Sequence, residues 1–171
     1  ANNTVRAATL GMAVTKSATT KPAQTVKFVG SESLTVDTAI AAETIDASGM
    51  TTGLVTEAGL TMSTAHTAAQ TITGSGKVDT LYGSTKADTI NAGAGNDIID
   101  ANAGVNTIDS GAGNDTITLG TGADNISAGA GNDIITAEAS LANTDIIDGG
   151  AGTDTLTTTA GISNSSVMGG V

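Results

Sequence analysis

The sequence predicts an all-β chain: a right-handed parallel β-solenoid over residues 73–157, preceded by an irregular β-rich segment over 1–72 and followed by a continuation or tail over 158–171. Three observations predict it. From residue 74 the chain falls into nine-residue windows, each with Ile or Leu at its eighth position and Asp or Asn at its sixth. Composition is the second: 31 Thr, 28 Ala and 23 Gly make up 82 of the 171 residues, with one Phe, one Tyr, no Trp and no Cys. The large aromatic side chains that dominate ordinary cores are nearly absent, and a disulfide scaffold is excluded. The third is charge. Residues 87–171 hold eleven acidic residues and no Lys or Arg, whereas residues 1–86 hold six of each sign, so the net charge of -11 belongs to the second half. Nucleic-acid binding needs a basic surface and is disfavoured; an acidic half without counter-charge points to a solvated tail or a cation site.

In chain order, residues 1–72 come first. Val26 to Val29, Leu34 to Val36 and Thr44 to Ile45 read as short strands between Gly and Ser. The apolar stretch Ala7 to Val14 is far short of the about 20 residues a membrane span needs, and it lacks the pattern of a signal peptide. The absence of an initiator Met is expected of a fragment of a longer protein. His66, the only His, is expected to be a surface polar residue, having no visible catalytic partner. Ile72 lies nine residues before Leu81, so one Asp-free rung is expected to precede the repeats.

The windows are GSGKVDTLY (74–82), GSTKADTIN (83–91), AGAGNDIID (92–100), ANAGVNTID (101–109), SGAGNDTIT (110–118), LGTGADNIS (119–127) and AGAGNDIIT (128–136). A twelve-residue window, 137–148, and GGAGTDTLT (149–157) close the set. A low-complexity linker would not keep Asp and Ile two residues apart at a nine-residue step. Positions seven to nine predict a three-residue strand with one inward apolar side chain. The Gly-rich remainder suits a tight turn. Two windows then make one coil, and coils stack about 4.8 Å apart by parallel pairing. One column of Ile is too little to order so many Gly residues, so the turns need another source of stability.

Stacking places the sixth position of each window beside that of the window after next. One edge carries Asp79, Asp97, Asp115, Asp133 and Asp154; the other carries Asp88, Asn106, Asp124 and Asp145. Two carboxylates about 5 Å apart repel by roughly 0.8 kcal/mol in water and several times more at lower dielectric. Cations are required, and hard oxygen ligands in Gly turns suit Ca²⁺. The lack of Cys and the single His disfavour soft metals. Lys77 and Lys86 stand where Gly is expected, either as surface lysines or as a charged cap for the first turns. Asp100, Asp109 and Asp148, at position nine, are expected to be solvated rather than ligating.

GAGND at 93–97, 111–115 and 129–133, with GGAGTDTLT at 149–157, resembles the repeat-in-toxin (RTX) nonapeptide G-G-x-G-x-D-x-U-x, a calcium-binding repeat. The resemblance implies a β-roll with several Ca²⁺ ions between stacked turns, held by Asp and by carbonyls of turn positions one to four. Carried onto this chain, the implied ligands are Ala92, Gly93, Ala94 and Gly95 with Asp97; Ser110, Gly111, Ala112 and Gly113 with Asp115; and Ala128, Gly129, Ala130 and Gly131 with Asp133. The less regular turns add Asp79, Asp88, Asn106, Gly120 and Gly122 with Asp124, Asp145, and Gly150 and Gly152 with Asp154. All three GAGND turns fall on one edge, which predicts one strong calcium ladder and one weak one.

Residues 43–63, running into 70–83, resemble the Thr/Ala/Gly-rich β segments of bacterial surface-layer (S-layer) proteins. The implied protein is secreted, sits on the bacterial cell surface, and self-associates into a lattice in a Ca²⁺-dependent way, without nucleic acid or membrane insertion. Two alternatives stand: the RTX region of a type I-secreted protease or lipase, or of an adhesin, with the functional domain elsewhere. No H-E-x-x-H, G-x-S-x-G or phosphate-loop motif occurs, so the chain is not expected to be an enzyme.

Overall fold

The computed structural model describes residues 15–16, 25–30, 34–36, 44–50, 54–56, 69–137, 144–158 and 168–169. The stretch 7–14, His66 and most of 158–171 lie outside the described residues. These residues form sixteen strands: β1 Thr15–Lys16, β2 Thr25–Gly30, β3 Leu34–Val36, β4 Thr44–Met50, β5 Leu54–Thr56, β6 Thr71–Thr73, β7 Thr80–Tyr82, β8 Thr89–Asn91, β9 Ile98–Asp100, β10 Thr107–Asp109, β11 Thr116–Leu119, β12 Asn125–Ser127, β13 Ile134–Ala137, β14 Ile146–Asp148, β15 Thr155–Thr158 and β16 Met168–Gly169. Among the described residues there is no helix, and so none able to cross a membrane.

Even and odd strands form separate sheets. One runs β1-β2-β4-β6-β8-β10-β12-β14-β16 and the other β15-β13-β11-β9-β7-β5-β3. Every pairing is parallel except β1 with β2. This is the stacked-coil solenoid that the nine-residue windows predict. Register follows the eighth position: Ile72, Ile90, Ile108, Ile126 and Ile147 pair in sequence on one sheet. Leu81, Ile99, Ile117, Ile135 and Leu156 do so on the other. The extra residues of the 137–148 window leave the register intact, since Ile126 still faces Ile147.

The two aliphatic columns form one buried cluster. Position one of the window, assigned above only through its carbonyl, also points inward. Ala92, Ala101, Leu119, Ala128 and Ala137 are buried in the same cluster, and Ser110 is buried beside them. Apart from Leu119 these are small residues, which suits a place where the chain turns close to the backbone of the next coil.

The Asp-free rung is β6, with Ile72 buried. It pairs with β4 on one side and β8 on the other, so the sheets run on from the repeats into the first half. The strands expected there are present as β2, β3 and β4, and β4 is longer than the two residues foreseen. At the other end β16 pairs with β14, so part of the tail continues the coil.

Candidate metal centre

The sixth-position residues are buried: Asp79, Asp88, Asp97, Asn106, Asp115, Asp124, Asp133 and Asp145 are each at most 4% exposed. Burying a carboxylate is costly unless it is hydrogen-bonded or paired with a cation. Half of that requirement is met within the stack. Apart from Asp79, the Oδ1 of each accepts from the backbone N–H of the residue one coil earlier, and so does that of Asp154. Along the first edge, Asp79 N–H donates to Asp97 (2.7 Å), Asp97 to Asp115 (2.8 Å), Asp115 to Asp133 (2.8 Å) and Asp133 to Asp154 (3.0 Å). Along the second, Gln70 donates to Asp88 (2.7 Å), Asp88 to Asn106 (2.9 Å), Asn106 to Asp124 (2.9 Å) and Asp124 to Asp145 (2.9 Å). The two edges foreseen in the sequence are thus two hydrogen-bonded columns. Gln70 heads the second, a buried position the sequence analysis missed, although it lies nine residues before Asp79.

The second oxygens divide the edges. Among the described residues, the buried carboxylate oxygens without a partner are Oδ2 of Asp97, Asp115, Asp133 and Asp154. All four belong to the first edge. Asp79 and Asp88 differ: Ser75 N–H donates to Asp79 Oδ2 at 2.6 Å and Ser84 N–H to Asp88 Oδ2 at 2.6 Å, each reinforced by the Ser hydroxyl. Lys77 and Lys86 are exposed, as surface lysines, and their N–H groups donate to the Ser75 and Ser84 hydroxyls.

Burial pushes the Asp97 carboxyl from the usual 3.8 up to about 6; the Asp79 N–H opposes the rise, and the charges of Asp79 and Asp115 add to it. Asp88, Asp115, Asp124 and Asp133 are raised too, in each case by burial above all. These are carboxylates short of positive charge.

Backbone geometry sets the GAGND turns apart from the first two turns, while the turn before Asn106 on the second edge also has two left-handed residues, Asn102 (φ 55°) and Gly104 (φ 133°). Every GAGND turn has two residues in the left-handed region, as at Gly111 (φ 97°) and Gly113 (φ 137°), and the position-three residues Ala94, Ala112, Ala130 and Ala151 join by parallel bridges. The turns 74–79 and 83–88 contain no positive φ. Outside the bridges, Asn96, Asn114 and Asn132 form a ladder the sequence analysis did not foresee. Asn114 N–H donates to Asn96 Oδ1 (2.9 Å), Asn132 N–H to Asn114 Oδ1 (2.8 Å) and Thr153 N–H to Asn132 Oδ1 (2.8 Å). The fourth letter of GAGND was its only signal. Asp109 and Asp148 are exposed and Asp100 is half-buried; Asp100 and Asp148 accept from the N–H two residues on, a turn-closing role.

The donor set fits a hard cation. Among the described residues no three acidic or His side chains come together, so a site would combine carboxylate oxygens of stacked turns with backbone carbonyls. The family model of the RTX calcium-binding nonapeptide repeat (four copies) matches residues 73–108, 101–135 and 142–162, about half of the chain. These are RTX calcium-binding repeats. The RTX windows coincide with the described strands β7 to β15 and with both Asp columns. No curated protein and no solved structure matches the chain.

Proposed function

We propose that this chain is a structural, calcium-dependent segment of a secreted bacterial cell-surface protein of the S-layer kind. The observation that carries the calcium part is the row of buried, unpartnered Oδ2 atoms on Asp97, Asp115, Asp133 and Asp154, within repeats of a calcium-binding family. Calcium supplies compensating charge and accepts oxygen ligands from successive turns. The chain's own part is to fix each carboxylate through Oδ1 and to turn its second oxygen, with nearby carbonyls of positions one to four, toward the turn. Modules of this kind outside cells bind at about 10⁻⁴–10⁻³ M, so low intracellular calcium leaves the columns repelling and millimolar extracellular calcium completes the roll.

The S-layer part draws support from the first half. Its strands β2 to β5 add to the same two sheets as the RTX strands, giving one long solenoid instead of a repeat region appended to a separate fold. Ile98, Ile134 and Ile146 are about half exposed on the outer faces, at 48%, 48% and 60%, and offer apolar area for lateral contacts. Electron microscopy of the chain in millimolar calcium is the test, and two-dimensional arrays are expected. Monodisperse, calcium-loaded particles would favour instead the RTX region of a type I-secreted enzyme or of an adhesin.

A further inference from the structure

We propose that calcium loads one edge of the roll only, along Asp97, Asp115 and Asp133, and that the chain's own hydrogen bonds close the first turn and, on the opposite edge, Asp88 and Asn106. This inference rests on the calcium reading above. Three independent observations point to it.

The first is the distribution of unmet oxygens. Asp97, Asp115 and Asp133 are at most 1% exposed and each keeps one Oδ2 with no partner; every such buried carboxylate oxygen among the described residues is on this edge. The second is the substitution of ligand chemistry on the other edge. Asn106 occupies the sixth position there, fully buried, and donates its Nδ2 to the Ala101 carbonyl at 3.4 Å. An amide donor thus faces the position-one carbonyl, and one negative charge is gone from the centre of the column. Next to it, Ser84 donates both N–H and hydroxyl to Asp88. The third is backbone shape. The Ala94–Ala112–Ala130–Ala151 bridges tie successive turns along the first edge and have no counterpart among the described residues of the other, where the turn before Asp88 has no left-handed residue, the one before Asp124 has only Gly122, and the one before Asn106 has Asn102 and Gly104 but no bridge.

Ser75 extends the logic to the start of the first edge. It stands at the second position of its window, where the GAGND turns have Gly, and holds Asp79 by its N–H and hydroxyl. The turns of Asp79 and Asp88 therefore form a metal-free start on which the calcium-loaded turns stack.

Crystals of the full chain grown in calcium, with anomalous diffraction used to place the ions, test the proposal. Peaks are expected beside Asp97, Asp115 and Asp133, and none beside Asp88 or Asn106. Peaks on both edges overturn the one-edge proposal while leaving the calcium reading intact. No peaks, together with no heat of calcium binding in calorimetry, overturn the calcium reading itself. Two variants give a second readout in solution. Asp115→Asn is expected to lower the number of bound ions and weaken calcium binding at least tenfold. Asn106→Asp is expected to raise the number of bound ions, and an unchanged number would overturn the role assigned to the Asn106 amide.

Discussion

At the scale of single residues, the turns set hard limits that composition hides. Gly113 has φ 137°, and a Cβ there would run into the Gly95 carbonyl one coil earlier. Gly76 is exposed, has no positive φ, and would meet nothing within 4 Å. Gly113→Ala is therefore expected to lower the thermal midpoint sharply, since both strain and a backbone collision oppose it. Gly76→Ala is expected to leave stability unchanged or raise it by about 0.4–1 kcal/mol. Calorimetric melts of the two variants in calcium check this, and equal losses would contradict the turn geometry. The carboxylates give a second expectation. Asp97 holds its proton up to about 6 in the folded chain, against 3.8 when unperturbed. The folded state thus binds protons that the unfolded chain releases, and that stability is complete below the unfolded value and lost as pH rises through the folded one. Calcium-depleted protein should keep its β signal at pH 4 and lose it by pH 7. A metal-free fold that strengthened over that interval would reverse the sign and refute the account of the Asp columns.

At the scale of the element, each strand from β6 to β15 is three or four residues long and depends on its neighbours. Ile117 is fully buried between Ile99 and Ile135, so Ile117→Ala is expected to cost about 2–5 kcal/mol in a denaturant series. The Asn ladder is exposed and lighter. Asn114→Ala removes the acceptor for the Asn132 N–H and should cost about 0.5–1.5 kcal/mol, measurable in the same series. The contrast shows what the sequence made legible. A strand carrying an inward Ile and a turn carrying an inward Asp repeat in phase, so strand register and both Asp columns could be read directly from spacing. The Ser75 and Ser84 closures, the buried position one and the Asn ladder could not. Each depends on which atom of a small or polar side chain meets the next coil, and a nine-residue period does not encode that. Gln70 escaped for a different reason: it keeps the position but not the residue type. Beside Lys77 and Lys86, read either as surface lysines or as a charged cap, Ser75 and Ser84 hold the first two carboxylates by a hydroxyl and an N–H, contacts that residue spacing does not reveal.

At the scale of the whole molecule, the scarcity of aromatics and the net charge of -11 have one explanation. The interior holds two facing columns of Ile and Leu with small residues at the corners, a space that rings would overfill. Both edges of that interior are lined by buried carboxylates, so the apolar core and the charge that opposes it are built from the same nine residues. The solenoid is therefore expected to be conditional on calcium, and circular dichroism of the chain at neutral pH, with chelator and then with millimolar calcium, tests that claim most directly. Loss of the β signal in chelator and its return on adding calcium is the predicted result; an unchanged β signal in chelator would contradict the account.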